Sequence, residues 1–171
     1  VLTVGVQELL DDRLNMPTCI FAHGQVTGTK VVVEHFEVAN RLLVTASSPS
    51  GPCCVLVDKS ASGISVTSGR STRLQPLSQV TFKNTPGEVV GDSSAVQALL
   101  AHLRLAICAT QLGVTEQALA LTAEYATNRQ QFGRPIATFQ AVGQRLADQF
   151  VNVGGIRLAT LSAAWRLANN L

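Results

Sequence analysis

The sequence predicts an α+β protein in which an antiparallel β-sandwich or barrel precedes two long antiparallel helices of an incomplete bundle. In the first half of the chain, short segments rich in Val, Ile, Thr and Phe alternate with turn residues, a spacing typical of all-β domains. In the second half, apolar residues recur at helical spacing over two long stretches. We therefore expect two domains, residues 1–92 and residues 93–171.

The first domain is predicted to contain six short strands. Residues that favour turns separate them, among them Gly28, the run Ser48–Pro52 and Gly63. No helical period of useful length interrupts the pattern, which favours a β domain throughout. The predicted strands are Thr18–Ala22, Lys30–His35, Leu42–Thr45, Cys53–Asp58, Ile64–Thr67 and Val80–Phe82.

A first long helix is predicted to begin at Ser94. Ser94 and Gln97 have the spacing of a capping box, in which Gln97 reaches back to the amide of Ser94. Stop signals follow at Arg129, Gly133 and Pro135. Between them a mostly apolar stripe is formed by Val96, Leu99, Leu103, Ala106, Ile107, Thr110, Val114, Ala118 and Leu121.

A second long helix is predicted from an apolar stripe between Phe139 and Leu167, in which Arg157 is the one charged member. At ~1.5 Å per residue, each helix would extend roughly 45–50 Å. Two such helices joined by a short loop leave apolar surface uncovered, so we expect partner subunits or further helices to cover it. Glu116 and Glu124 of the first helix are interpreted as solvated surface charges, because Glu is rarely buried.

Composition excludes several classes of protein. The chain has 171 residues, of which 46% are hydrophobic and 14% charged, and such a composition excludes a disordered chain. The 13 Lys and Arg against 11 Asp and Glu give a net charge of +2, which predicts neither a nucleic-acid partner nor a membrane-surface partner. No uninterrupted apolar run approaches the roughly 18 residues of a membrane span. The high apolar fraction instead predicts a subunit interface.

The cysteines and histidines indicate whether the chain has a metal site and which cellular compartment it occupies. The first residues indicate whether the chain is a fragment. The four cysteines lack Cys-x-x-Cys spacing and the three histidines are scattered, so no metal site is predicted. We interpret the cysteines as small buried thiols of a protein in a reducing compartment, the cytoplasm. The opening Val1-Leu2-Thr3-Val4 resembles neither a signal peptide nor a natural start, so a fragment is one expectation for this chain.

One segment of the sequence is specific enough to identify a family. Residues 125–140 read Tyr-Ala-Thr-Asn-Arg-Gln-Gln-Phe-Gly-Arg-Pro-Ile-Ala-Thr-Phe-Gln, and Leu146-Ala147-Asp148 follows. This block resembles the acyl-CoA dehydrogenase family, and Val26–Lys30 with Ala39-Asn40 resembles the family's middle domain. The resemblance implies a middle β domain followed by the first two helices of a C-terminal four-helix bundle. It also implies an FAD-dependent oxidoreductase that introduces a double bond between Cα and Cβ of an acyl-CoA.

The resemblance assigns the cofactor-binding residues. Arg129 matches the arginine that meets the FAD pyrophosphate of a neighbouring subunit, and a planar guanidinium suits that contact because it can bond two phosphate oxygens. Phe132 would pack against the cofactor, Gly133 would let the chain turn past it, and Gln140 would offer amide hydrogen bonds. The alternative is purely structural: Arg129 would complement the helix dipole, and Phe132 and Phe139 would be core residues.

Two departures from the family pattern limit what this chain can do. The flavin-facing strand normally carries a Trp, an aliphatic residue and a Thr or Ser, whereas here the positions are Val32, Val33 and Glu34. The neighbouring loop, Gln7-Glu8-Leu9-Leu10-Asp11-Asp12, lacks the Pro and Gly of the family. The isoalloxazine site of this chain is therefore predicted to be degraded.

The missing catalytic base is a further departure from the family pattern. Some members carry the base, a Glu, on the first long helix directly before an arginine. Arg104 matches that arginine, which we assign to substrate binding, but the preceding residue is Leu103 and cannot take a proton. No catalytic residue is assigned in this chain.

These matches and departures lead to one main hypothesis and two alternatives. The chain is predicted to be a subunit or fragment of an acyl-CoA dehydrogenase that completes the FAD site of a neighbour, in a homo- or hetero-oligomer such as a dimer of dimers. The subtype it resembles is the heteromeric enzyme of bacterial steroid side-chain degradation. The first alternative is a non-catalytic structural or assembly subunit, which predicts a colourless complex. The second is another flavoprotein of the same fold, such as a flavin-dependent monooxygenase.

Overall fold

A computed structural model of the chain describes residues 1–10 and 13–169. It confirms the α+β prediction: a mainly antiparallel sheet occupies the first half of the chain, and two long helices occupy the second. The chain divides into two compact units, Val1–Leu100 and Ala101–Leu171. The predicted domain boundary between residues 92 and 93 stays a prediction.

The described residues of the first unit form one eight-stranded sheet. Its order is β6-β7-β3-β2-β4-β5-β8, and β1 pairs with β4. The pairs β1–β4 and β2–β4 are parallel, and the others are antiparallel. The sequence pattern did not indicate β1 and β8, which have only four residues each. The strands are β1 Leu2–Gly5, β2 Ile20–Ala22, β3 Gln25–Glu34, β4 Arg41–Ser48, β5 Gly51–Asp58, β6 Ile64–Arg70, β7 Pro76–Pro86 and β8 Glu88–Gly91.

Strand alternation gives the sheet two apolar faces. Val55 and Val57 of β5 belong to the larger buried cluster, together with residues of β3, β4 and β7. Cys54, one position away, faces a smaller cluster with Val96 and Leu100. The same alternation sends the adjacent side chains of Cys53 and Cys54 to opposite faces, and both are free thiols whose pKa is raised, chiefly by burial.

The first helix, α1, spans Ser93–Asn128 and is capped by Asp92. The Asp92 carboxylate accepts hydrogen bonds from the Ser94 amide at 2.9 Å, the Ser94 hydroxyl at 2.6 Å and the Ala95 amide at 3.3 Å. The predicted capping box on Ser94 is therefore wrong. Asp92 takes the N-cap because a carboxylate accepts from two orphan amides at once and carries the charge that the helix dipole favours.

The second helix, α2, spans Gln140–Ala168, and the predicted apolar stripes of both helices lie largely at the surface. Within the described residues, Ile107 and Val114 of α1 are 68% and 60% exposed, and Phe150 and Leu161 of α2 are 72% and 58% exposed. The two helices are linked instead by the Arg157 guanidinium, which lies 2.7 Å from the carboxylate of Glu116. This ion pair explains why Arg157 interrupts an apolar stripe, and it corrects the interpretation of Glu116 as a purely solvated charge.

By length and composition alone, one helix of the described residues is apolar enough to cross a membrane. That helix is α1, in which an 18-residue window has a mean hydropathy of 1.4 and is 6% buried. Apolar residues surround the axis of α1, so the residues of the predicted stripe are only part of a surface that is apolar on all sides. A helix that is apolar on all sides is also the kind that becomes covered on all sides in a helix bundle.

Candidate functional site

A short β-hairpin joins the two helices and forms the candidate site. Its strands, β9 Gln130–Gln131 and β10 Arg134–Pro135, pair antiparallel. Phe132 and Gly133 form the turn, with φ angles of 54° and 76°. Two left-handed residues in a row are the requirement of a type I′ hairpin turn, and Gly adopts that conformation at no steric cost.

Phe132 is the residue that the turn places in an unusual environment. A non-glycine residue with positive φ is uncommon. Phe132 is also 92% exposed to solvent. A core role for Phe132 is therefore wrong. Strained backbone positions concentrate at ligand-binding sites, because there the surrounding structure holds a conformation that serves contact with another molecule.

Arg129 lies directly after α1, with a fixed backbone and a free side chain. Its amide donates to the Tyr125 carbonyl at 2.8 Å, and its carbonyl accepts from the Ile136 amide at 2.8 Å. Its side chain is exposed, and within the part of the chain that the structure describes the guanidinium makes no hydrogen bond or ion pair. The structural alternative, in which the Arg129 charge complements the dipole of α1, requires no hydrogen bond, so both roles of Arg129 stay predictions.

Phe139 and Gln140 complete the group at the start of α2. The Phe139 and Phe132 rings meet edge to face, with centroids 6.1 Å apart at 87°. The Arg134 guanidinium stacks on Phe139, 4.3 Å from the ring centroid. Gln140, the first residue of α2, is exposed. The structure thus brings the predicted cofactor-binding residues together on one hairpin and the helix that follows it.

Arg104 lies elsewhere, in a groove between the early part of α1 and the late part of α2. At about 1.5 Å per residue it is about 37 Å along α1 from Arg129, so it belongs to a different site. The groove has a volume of about 720 Å³ and a mostly apolar lining. Its polar side chains are Arg104, Cys108, Gln111, Thr160 and Arg166.

The strand predicted to face a flavin ring carries an ion pair in place of a hydroxyl. The Glu34 carboxylate lies 3.5 Å from the guanidinium of Arg73, a residue to which the sequence assigned no role in a site. Val32 occupies a bulged part of β3, with φ 56° and 47% exposure, whereas Val33 is buried. A β-branched residue in the left-handed region is a true outlier, so this edge of the sheet is locally strained.

Another ion pair, between Glu8 and Lys30, is buried beneath the loop that precedes β2. The Lys30 ammonium lies 2.6 Å from the Glu8 carboxylate and 3.0 Å from the Thr45 hydroxyl. Glu8 also accepts from the Thr18 amide and hydroxyl, both at 2.6 Å, and from the Cys19 amide at 2.9 Å. Burial alone would raise the pKa of Glu8, but these hydrogen bonds together outweigh it and lower the pKa to about 2.

The Glu8–Lys30 pair gives the loop a structural role that the sequence did not reveal. The only signal was a Lys among the Val and Thr residues of a predicted strand. Asp11 and Asp12, which the sequence comparison of this loop included, lie outside the described residues. Among the described residues no group of three His, Cys, Asp or Glu side chains could hold a metal ion, so no such cluster competes with the hairpin as a candidate site.

Comparison with known proteins identifies the family to which this arrangement belongs. Residues 93–171 match the family described as acyl-CoA dehydrogenase, C-terminal domain. The chain is 40% identical over 152 residues to the acyl-CoA dehydrogenase FadE27 of Mycobacterium tuberculosis, covering 86% of this chain and 41% of that protein. The chain belongs to the acyl-CoA dehydrogenase family.

Solved structures of related dehydrogenases extend the match to nearly the whole chain. The Tcur3481-Tcur3483 steroid acyl-CoA dehydrogenase superimposes with a TM-score of 0.94 and 33% identity, over 99% of this chain and 48% of that one. The ChsE4-ChsE5 complex from Mycobacterium tuberculosis has a TM-score of 0.86 and 36% identity, over 99% and 47%. The chain thus spans about half the length of the acyl-CoA dehydrogenases it matches.

The residues present suit one end of an FAD molecule better than the other. A free guanidinium and an exposed aromatic ring on one hairpin fit a pyrophosphate and the apolar surface of the cofactor. The edge formed by Val32, Glu34 and Arg73 does not fit an isoalloxazine ring, because Val offers no flat face and a carboxylate donates no hydrogen bond to the ring edge. In this member of the acyl-CoA dehydrogenase family the hairpin, and not the sheet, is the candidate site.

Proposed function

We propose that this chain is a subunit of an FAD-dependent acyl-CoA dehydrogenase and completes the FAD site of a neighbouring subunit. The observation that carries the proposal is the hairpin, which holds Phe132 in solvent on a left-handed backbone and leaves the Arg129 guanidinium without a partner among the described residues. A free cation and an exposed ring on the same hairpin are suited to an anionic, partly aromatic ligand brought by another subunit.

In this proposal each hairpin residue has a defined contact. Arg129 bonds the pyrophosphate through its planar fork, and Gly133 permits the close turn that presents it. Phe132 covers apolar surface of the cofactor, and the exposed Gln140 amide both donates and accepts hydrogen bonds. FAD, when bound, would supply the acceptor for the hydride that leaves Cβ of the acyl-CoA.

Position 103, where some family members carry the catalytic Glu, is a Leu in this chain, so another carboxylate must take the α-proton of the substrate. Leu103 has no ionisable group, and Glu116 of the same helix already pairs with Arg157 at 2.7 Å. We therefore assign this chain cofactor binding and assembly, with proton abstraction performed elsewhere in the complete enzyme. Arg104 remains the proposed substrate-binding residue, since its groove is mostly apolar with a cationic edge, suited to an acyl-CoA.

A hetero-oligomer of the steroid-degrading type is the assembly that we favour over a homo-oligomer. The Tcur3481-Tcur3483 steroid enzyme and the ChsE4-ChsE5 complex resemble the chain over nearly its whole length. A partner with its own flavin-ring strand would also compensate for the Glu34–Arg73 edge of this chain. We propose a cytoplasmic, soluble assembly, such as a dimer of dimers, with a steroid acyl-CoA as substrate.

A non-catalytic assembly subunit is the second candidate function. The Glu34–Arg73 ion pair favours it, since the chain would keep the fold and the interface while offering no flavin-ring site of its own. This candidate predicts an assembly without bound flavin and without dehydrogenase activity.

The experiment that separates the two is purification of the native assembly through a tag on this chain. We expect a yellow complex whose visible flavin absorbance bleaches when a steroid acyl-CoA is added anaerobically, because the flavin takes the hydride. An assembly that contains the partner but neither flavin nor activity would establish the assembly subunit instead. Mass spectrometry of the purified complex identifies the partner and distinguishes a homo-oligomer from a hetero-oligomer.

A further inference from the structure

The hairpin carries another arginine whose side chain is already held in position. The Arg134 guanidinium stacks on Phe139 at 4.3 Å from the ring centroid, and Phe139 is itself braced edge-on by Phe132. The backbone of Phe139 is fixed as well, because its amide donates to the Ile136 carbonyl and its carbonyl accepts from two amides of α2. Arg134 therefore rests on a rigid support, unlike Arg129.

Arg134 and Arg129 lie close together on the same hydrogen-bonded ladder. Gln131 pairs with Arg134 across the hairpin, and the next hydrogen bond outward joins the Ile136 amide to the Arg129 carbonyl at 2.8 Å. Neither guanidinium has an acidic partner within residues 1–10 and 13–169. Arg129 and Arg134 are diagonal neighbours in this ladder, and like charges on facing strands disfavour each other, so an anion bound by both would relieve the repulsion.

Stacking prepares a guanidinium for phosphate binding. When the flat face lies on an aromatic ring, the N–H groups point outward in the plane of the fork and remain free to donate. Because the stack also restricts the side-chain rotamers, less conformational entropy is lost when an oxyanion binds. A pyrophosphate has two adjacent phosphate groups, so a single arginine leaves one of them without a charged donor.

We propose that Arg134 is a second phosphate-binding residue, positioned by Phe139, that holds the FAD pyrophosphate together with Arg129. This inference rests on the proposed function, since it places FAD at the hairpin. It adds that two guanidiniums of the hairpin bind the cofactor from different starting points. The Arg129 side chain has no contact among the described residues that restrains it, whereas Arg134 is preorganised on its aromatic support.

The test is a titration of the flavin-depleted native assembly, comparing FAD with riboflavin, which has the ring but no phosphate. Arg134→Ala should weaken FAD binding by about 10- to 100-fold, the effect of losing a charge-assisted contact, and leave riboflavin binding unchanged. Phe139→Leu should weaken FAD binding by a smaller factor, because the charge stays but its support is lost. The matched control is Arg145→Ala, which changes an exposed arginine of α2 that makes no hydrogen bond or ion pair with the described residues, and it should bind FAD like wild type.

The outcomes separate this inference from the function on which it rests. If Arg129→Ala weakens FAD binding and Arg134→Ala does not, Arg134 has no phosphate role and the proposed function stands. If neither Arg129→Ala nor Arg134→Ala changes FAD binding, FAD does not contact the hairpin, and the proposed function fails together with this inference. Equal weakening of FAD and riboflavin by Arg134→Ala would show a structural role only, and would overturn the inference.

Discussion

The two charged regions of this molecule differ in whether their charges are already compensated. In the sheet, Lys30 is fully buried against Glu8, and Arg73 faces Glu34 at its edge. On the hairpin, Arg129 and Arg134 have no acidic partner among the described residues. A compensated charge contributes to the fold, whereas an uncompensated one on a strained turn is available to a ligand. The comparison indicates that the charges of the sheet stabilise the fold and that the arginines of the hairpin are available for binding.

Breaking the buried pair should have the largest effect on the molecule. Glu8→Gln leaves the Lys30 ammonium buried without its counter-charge, and removing one partner of a buried pair costs about 3–5 kcal/mol of unfolding free energy. The double variant Glu8→Gln/Lys30→Met should recover much of that loss, because neither charge remains. Urea denaturation measures both, with Glu88→Gln at an exposed position as the control. A single variant as stable as wild type would show that the pair is dispensable.

The same carboxylate predicts how stability depends on pH. The pKa of Glu8 is about 2 in the folded chain against an ordinary value of 4.5, so the unfolded chain binds more protons between these values. Its contribution, about 3 kcal/mol at 1.36 kcal/mol per unit, is therefore fully present above pH ~4.5 and lost as the pH falls toward 2.

Unfolding curves between pH 7 and pH 3 test this dependence. Wild type should lose stability more steeply below pH ~4.5 than the double variant Glu8→Gln/Lys30→Met, which has no carboxylate at position 8. Parallel curves for the two proteins would mean that other groups account for acid sensitivity.

Removing the free charge of the hairpin should affect cofactor binding and not the fold. Arg129→Ala should lower the affinity of the native assembly for FAD by about 10- to 150-fold, equivalent to about 1.5–3 kcal/mol, with unchanged thermal unfolding. Arg129→Lys should restore only part of the affinity, because an ammonium keeps the charge but not the fork. The measurement is the ratio of flavin to protein absorbance after gel filtration at limiting FAD.

Val32 provides the contrasting arm of that experiment. Val32→Ala should scarcely change the flavin ratio, since the Glu34–Arg73 edge is proposed to hold no flavin ring. A large loss of flavin in Val32→Ala would show that this chain holds an isoalloxazine of its own, and the contrast between the two regions would then fail.

The smallest expected effect concerns the surface pair that links the helices. Glu116→Gln breaks the 2.7 Å contact with Arg157, but both side chains are partly exposed, so solvent screens the interaction. We expect a loss of about 0.2–1 kcal/mol. Thermal unfolding at low and high salt measures it, and the difference from wild type should shrink as salt rises. A loss that persists at high salt would indicate that the pair is shielded from solvent by other packing.

The sequence by itself determined the elements whose cause is local. Alternating Val and Thr residues produce strands, and apolar residues at helical spacing produce α1 and α2, because each pattern acts over a few residues of one segment. The block around Arg129 and Phe132 likewise lies within one continuous stretch, so its residues were recognisable together. The sequence did not determine which residue caps α1, because Asp92 and Ser94 both suit an N-cap and only the hydrogen bonds of the structure distinguish them.

Only the tertiary structure decided which distant charges meet. Glu8, in the loop before β2, meets Lys30 of β3, and Glu34 at the end of β3 meets Arg73 in the turn between β6 and β7. Arg157 of α2 meets Glu116 of α1. No period or motif encodes such pairs, because each depends on strand order and helix packing that the whole chain must first establish. The same holds for Arg134 on Phe139: the sequence shows an arginine and a ring, but the hairpin turn places one over the other. Charge compensation, and with it the distinction between a structural and a binding arginine, is therefore a property of the folded chain.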